Sequence, residues 1–177
     1  MDNDPLLFHR SYNKYMYLMK FESRIIQYLI EHKITVATAE SCTGGLLASV
    51  FTSYPGVSAI YQHGVITYSN ETKSKLLKVS PESIRRNGAV SRQVCAQMCF
   101  NLAKSSKCQL TLSTTGVAGP GGGTKTKPVG LVYAGVCYQK TIYIKKLQFS
   151  SKLSRLEIQK GTVKECFVMI KEIMDGL

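Results

Sequence analysis

The sequence predicts an α/β sandwich with a mixed β-sheet. Helix-like and strand-like stretches alternate along most of the chain, the pattern of strands in one sheet joined by packed helices. Two strand-like runs then follow one another with no helix between them, which adds a β-hairpin. The chain has 177 residues and shows no internal repeat or dividing linker. One domain over residues 21–177 is therefore expected behind an N-terminal arm, residues 1–20.

Within the arm, "YNKYMYLMK" could add a short helix. Phe21, Ile25, Ile26, Leu29 and Ile30 fall on one helical face. A strand at about 34–39 leads into "AESCTGG", and a helix at about 44–53 carries Leu46, Leu47, Val50 and Phe51 at helical spacing. "YPGVS" has turn chemistry, and "IYQHGVITY" reads as a strand at about 60–68. Asn70 is suited to cap a short helix over "ETKSKLLK". Ser80 before Pro81 starts the next helix, and Gly88 ends it. Ser91 caps a longer helix with Val94, Cys95, Met98, Cys99 and Leu102 on its apolar side. "CQLTLSTT" at 108–115 is a strand, and the glycine-rich "GVAGPGGGTKTKP" follows it. "VGLVYAGVCY" and "TIYIKKLQF" form the hairpin. Leu156, Val163, Phe167, Ile170 and Met174 then mark an amphipathic helix that has to tolerate Gly161.

Hydrophobic residues make up 44% of the chain, enough for a real core. No run approaches the roughly 20 apolar residues of a membrane helix. The N-terminus is acidic before it is apolar, unlike a secretory signal. Six cysteines, Cys42, Cys95, Cys99, Cys108, Cys137 and Cys166, sit in apolar periodic segments with no CxxC pair. That favours reduced, mostly buried thiols in a cytoplasmic protein over disulfides or a zinc site. Cys95 and Cys99 share a helix face, but with no matching ligand pair nearby they read as core. The net charge of +12 is uneven: residues 83–156 hold twelve Lys or Arg and no Asp or Glu, and the remainder is neutral. Such a field attracts phosphates. Solvated lysines are the plainer reading, and the scatter of the cations supplies no base-reading element.

"AESCTGG" lies where a strand hands over to a helix, the edge at which ligands gather in open α/β sheets. A helix start offers free N–H groups and partial positive charge for an oxyanion. Ser41 and Thr43 are equally readable as helix caps or as catalytic hydroxyls. A serine nucleophile needs a base. No histidine is well placed: His9 is in the arm, His32 ends a surface helix, and His63 in its strand reads as packed. "TYSNETK" offers Tyr68 at a strand end and Lys73 in the next helix's first turn, at the same edge if the two strands are parallel neighbours. Lys73 also reads as one more solvated lysine beside Lys75 and Lys78. Cys42 is a rival nucleophile or a small buried residue. The glycine loop is no Walker A loop, since Thr124 replaces the glycine before lysine and a strand follows. It reads as closing over a ligand or as a plain surface loop.

Taken together and in order, "AESCTGG" (39–45), "GVITYSNETK" (64–73), "GAVS" (88–91), "TTGVAGPGGG" (114–123) and "KPVGLV" (127–132) resemble the CinA C-terminal domain family. The match covers about residues 21–150. The family includes the stand-alone bacterial nicotinamide-nucleotide amidases. The resemblance implies a three-layer α/β/α sandwich with a mixed, mostly parallel sheet of about five strands including the late hairpin. It implies conversion of nicotinamide mononucleotide to nicotinate mononucleotide and ammonia, in pyridine nucleotide salvage, without a metal or nucleotide cofactor. The nucleophile carried over is Ser41, with Lys73 taking its proton and Tyr68 orienting the pair or relaying a proton to ammonia. Helix-start amides would hold the oxyanion, and Glu40 and Thr43 would brace the turn. Thr115 and Gly116 match positions lining the pocket. Thr43, Gly44, Gly121 and Gly122 are the further substrate-binding positions.

One departure stands out. Where the family reads F-x-G-D-R, this chain reads "FSSKL", with Leu153 at the arginine position. A guanidinium grips phosphate bidentately and leucine cannot. Arg155, in the first turn of the final helix, is the expected replacement, with Lys127 as second choice. The lost arginine also keeps open a catalytically weakened binding or regulatory module associated with nucleic acid. The expected partners are a small nucleotide substrate and further copies of the chain, with no membrane and no specific nucleic acid.

Overall fold

The computed structural model describes residues 21–176. The expected arm of residues 1–20, and the short helix expected within it, lie outside the described residues. A helix over 21–31 (α1) precedes β1 (Val36–Glu40), α2 (Leu46–Thr52) and β2 (Tyr61–Ile66). Three helices follow, α3 (Asn70–Leu77), α4 (Pro81–Asn87) and α5 (Arg92–Ser106). Then come β3 (Leu110–Gly116), β4 (Leu131–Tyr138), β5 (Thr141–Gln148) and the long α6 (Arg155–Asp175). The sheet order is β2-β1-β3-β4-β5. β1 runs parallel to β2 and β3, while β4 is antiparallel to both neighbours, so every strand except β4 shares one direction. This is the expected mixed sandwich with its late hairpin. The hairpin turns through Gln139 and Lys140, both at positive φ (47° and 71°), the pairing a two-residue turn needs to match strand twist.

Helices cover both faces. Val36, Leu110, Leu112, Val132, Ala134 and Val136 point to the side of α1, α2 and α6, where Leu29, Phe51, Phe167 and Ile170 fill the larger core. Ala37 and Ala39 point the other way, against Leu77, Val94, Met98 and Leu102 of α3 and α5. Gly161 is tolerated in α6 for a packing reason: a Cβ there would lie 2.7 Å from the Phe149 ring. Leu156, expected on the apolar face of α6, is 52% exposed, and Ile158 takes the core position instead. His63, expected to be packed, is exposed on the edge strand β2. The cap of α3 is Ser69, not Asn70: its hydroxyl accepts from the Thr72 amide, and Thr72 returns the bond.

Much of the basic charge has local structural work. Lys33, Lys78 and Lys107 turn the chain out of α1, α3 and α5 at positive φ, where a cation also suits the negative helix end. Arg85 and Arg86 pair with Glu82 in the short α4, and Lys145 pairs with Glu165 of α6. Lys127 donates to the Asn87 carbonyl at the end of α4, and Arg92 to the Ile144 carbonyl.

Candidate active site

The carboxyl ends of β1 and β2 build the site. β1 is buried throughout, and its pleat sends Val36, Thr38 and Glu40 toward α2 while Ala37 and Ala39 face α3 and α5. Ser41 continues the second series and turns toward α3. Lys73 comes to meet it from the first turn of that helix. Its Nζ lies 2.9 Å from Ser41 Oγ and donates to the Thr67 carbonyl at 2.7 Å. Ser41 is 8% exposed and Lys73 only 1%. Among the described residues no carboxylate lies within ion-pair distance of Lys73. Burial therefore pushes its amine below the ordinary lysine range, opposed only by the neighbouring Cys42 thiol. The solvated-lysine reading is excluded by this burial.

Neither Ser41 nor Thr43 caps α2. The cap is the buried carboxylate of Glu40, five residues upstream of Gly45. One oxygen accepts from the amides of Gly45 (3.0 Å) and Leu47 (3.1 Å), the other from Ala48 (2.8 Å). The Gly44 amide turns to the Ser41 carbonyl and that of Leu46 to the Thr43 carbonyl. The helix-start amides expected to hold an oxyanion are thus already occupied. Among the described residues, the amides of Cys42 and Thr43 bond to no carbonyl or side-chain oxygen and are the turn's remaining donors. Gly44 and Gly45 adopt positive φ (62° and 101°), which lets the five residues 41–45 reverse the chain between Glu40 and the helix it caps.

The rest of the turn is braced from two sides. Thr114 Oγ1 lies 2.7 Å from Thr43 Oγ1 and accepts from the Ser41 amide at 3.5 Å. Gln159 of α6 donates to the Cys42 carbonyl at 2.8 Å. Cys42 itself is a poor rival nucleophile, because burial raises its thiol to about 12.

Tyr68 stands apart from the Ser41–Lys73 pair. The residue is 64% exposed, and its hydroxyl accepts from Arg155 Nη2 at 2.8 Å. Arg155 Nη1 donates to the Gly119 carbonyl at 2.9 Å, so one guanidinium joins Tyr68 to the glycine loop. Arg155 thus reaches back from the first turn of α6 to the strand edge, while Leu153 is 37% exposed. Lys127, the second choice, is engaged with Asn87. Gly121 and Gly122 lie in the exposed loop, where a Cβ on Gly121 would meet nothing within 4 Å.

Of the two threonines that close β3, Thr115 bonds away from the turn, to the Ala89 carbonyl at 2.9 Å. Gly116 sits where a Cβ would lie 2.6 Å from Val132, a packing role. The hydroxyl that meets the serine turn belongs to Thr114, which the motif reading passed over. Strand alternation could have found it: the hydroxyls of Thr111 and Ser113 bond to α5 carbonyls, so the even-numbered positions face the other way. Gln159 carried no such signal, since 117 residues separate it from Cys42.

The CinA C-terminal domain family model matches residues 18–174. Competence-damage inducible proteins of Clostridium novyi and Clostridium perfringens are 49% and 47% identical over 128 and 135 residues, covering 72% and 76% of this chain. The chain spans about a third of their length (31% and 32%). Among solved structures, the competence/damage inducible protein CihA from Agrobacterium tumefaciens superposes with a TM-score of 0.84 at 35% identity, over 88% of this chain and 94% of that one. A CinA-superfamily protein from Klebsiella pneumoniae superposes with a TM-score of 0.85 at 26% identity, over 90% and 99%. With the fold, the ordered motifs and the family match in agreement, this chain belongs to the CinA C-terminal domain family.

Proposed function

We propose that the chain hydrolyses the carboxamide of nicotinamide mononucleotide, releasing ammonia and nicotinate mononucleotide. The observation that carries this reading is the buried amine of Lys73, 2.9 Å from Ser41 Oγ and, among the described residues, with no carboxylate to hold it charged. A neutral amine has two protons and one lone pair. One proton serves the Thr67 carbonyl, which leaves the lone pair to accept the serine proton. Ser41 Oγ then attacks the amide carbon, and the Cys42 and Thr43 amides serve the developing oxyanion. Lys73 returns the proton to the departing nitrogen as the C–N bond breaks, and ammonia leaves an acyl-serine. Water attacks the ester, Lys73 takes its proton, and that proton returns to Ser41 as nicotinate mononucleotide departs.

Arg155 is assigned to the substrate phosphate. Its guanidinium lies at the site's edge, bonded to a carbonyl and a phenol, with no carboxylate among these partners. On this assignment the weakened binding module loses its main support. The same reading implies a cytoplasmic, homo-oligomeric enzyme of pyridine nucleotide salvage.

The test is ammonia release from nicotinamide mononucleotide by the purified protein. Ser41→Ala should abolish it, and Cys42→Ala should leave turnover within a few-fold of the parent. Turnover that survives Ser41→Ala but not Cys42→Ala would overturn the serine assignment. Absence of turnover in the parent protein would overturn the reaction.

A further inference from the structure

Tyr68 matches the family tyrosine expected to orient the dyad or relay a proton. Its geometry here suits neither task. The hydroxyl is bonded to Arg155 at 2.8 Å, and among the described residues neither Lys73 nor Ser41 bonds to it. Tyr68 is 64% exposed, whereas the dyad is buried. The proton balance set out for Ser41 and Lys73 closes without a third group.

We infer that Tyr68 is a substrate-positioning residue whose ring is the wall on which the substrate's planar heteroaromatic ring lies. This rests on the amidase reading above. Tyr68 directly follows Thr67, whose carbonyl holds the base, and Glu40 pairs with Ile66 across the parallel ladder. One end of Tyr68 therefore starts at the dyad. Its other end, the hydroxyl, is fixed to the guanidinium assigned to phosphate. A nucleotide with its amide carbon at Ser41 and its phosphate at Arg155 has to run alongside this ring. Ile66, 52% exposed and turned to the same side, with its Cδ1 3.1 Å from where a Gly45 Cβ would stand, extends the apolar wall. An exposed aromatic ring held at its tip by a guanidinium is already oriented for stacking, so little side-chain freedom is lost on binding.

The experiment compares Tyr68→Phe with Tyr68→Ala in kcat and KM for nicotinamide mononucleotide. Binding is measured in a Ser41→Ala background, with ribose 5-phosphate as a ligand lacking the ring. Tyr68→Phe keeps the ring and should hold kcat within about three-fold, with the shape of its pH profile unchanged. Tyr68→Ala should weaken nicotinamide mononucleotide by roughly ten-fold, the upper end of a ring–ring contact, and leave ribose 5-phosphate within two-fold. A relay would instead make both variants lose about 100-fold or more in kcat. That result, or equal weakening of both ligands by Tyr68→Ala, overturns the inference. If the parent protein binds nicotinamide mononucleotide without turning it over, the binding arm still decides the role of the ring, and only the amidase reading fails. If it binds neither ligand, both fall.

Discussion

Replacing Glu40 by alanine is the most demanding test of how the site is built. The carboxylate holds three amides at the start of α2, those of Gly45, Leu47 and Ala48, at 2.8–3.1 Å. Glu40 is 1% exposed and Leu47 is fully buried, so the Leu47 amide would lose its acceptor with no route to water. Each buried donor left unpaired costs about 1–3 kcal/mol. The amides of Gly45 and Ala48 are partly reachable by solvent and would recover part of their share. The sum is about 3–5 kcal/mol, a large part of the 5–15 kcal/mol that holds a typical domain. Losing the Ser41 hydroxyl, which caps nothing, should cost no more than about 1 kcal/mol. Glu40→Gln should fall between, because its carbonyl keeps an acceptor while its NH2 turns donors toward a donor. Urea unfolding followed by circular dichroism gives the midpoints and slopes directly. A Glu40→Ala protein within 1 kcal/mol of the parent, with turnover intact, would show that the carboxylate does not hold this turn.

Lys73→Met should lower turnover by about 100-fold or more as the base is lost, and should raise stability at neutral pH. The folded-state amine lies below its unfolded value, so the unfolded chain binds more protons between the two, and the parent gains stability as pH rises through that window. The advantage of Lys73→Met should therefore shrink toward pH 10.5, the ordinary lysine value; an advantage constant with pH would refute a depressed amine. Arg155→Ala should raise KM for nicotinamide mononucleotide about 10-fold. Nicotinamide riboside, which lacks the phosphate, should show only the part due to loosening Tyr68 and Gly119, and equal losses on both would deny Arg155 a phosphate role. Gly161→Ala should destabilise despite alanine's roughly 1 kcal/mol better helix propensity, because its Cβ would sit 2.7 Å from Phe149. A rise in the thermal midpoint would show that the ring moves aside freely.

The sequence by itself determined the element order and the class of fold. Apolar periodicity needs no partner to be read: Val94, Cys95, Met98, Cys99 and Leu102 mark α5 as surely in the sequence as in the structure. The chain also declared which residues were candidates for chemistry, because Ser41 and Lys73 sit in motifs that are local. It did not decide between a capping serine and a nucleophile, or between a solvated lysine and a buried one. Those choices depend on burial and pairing between residues 32 apart, which only the parallel register of β1 and β2 supplies. Glu40 shows the same limit at shorter range. A cap is normally sought at the helix start, yet here the acceptor lies in the preceding strand and reaches the amides because the turn folds back on itself. Arg155 was found by reach along the sequence, but its bonds to Tyr68 and Gly119 exist only because α6 packs across the face that carries α2. Sequence records what each side chain can do; the sheet decides which of them meet, because pairing partners are set by strand order and not by distance along the chain.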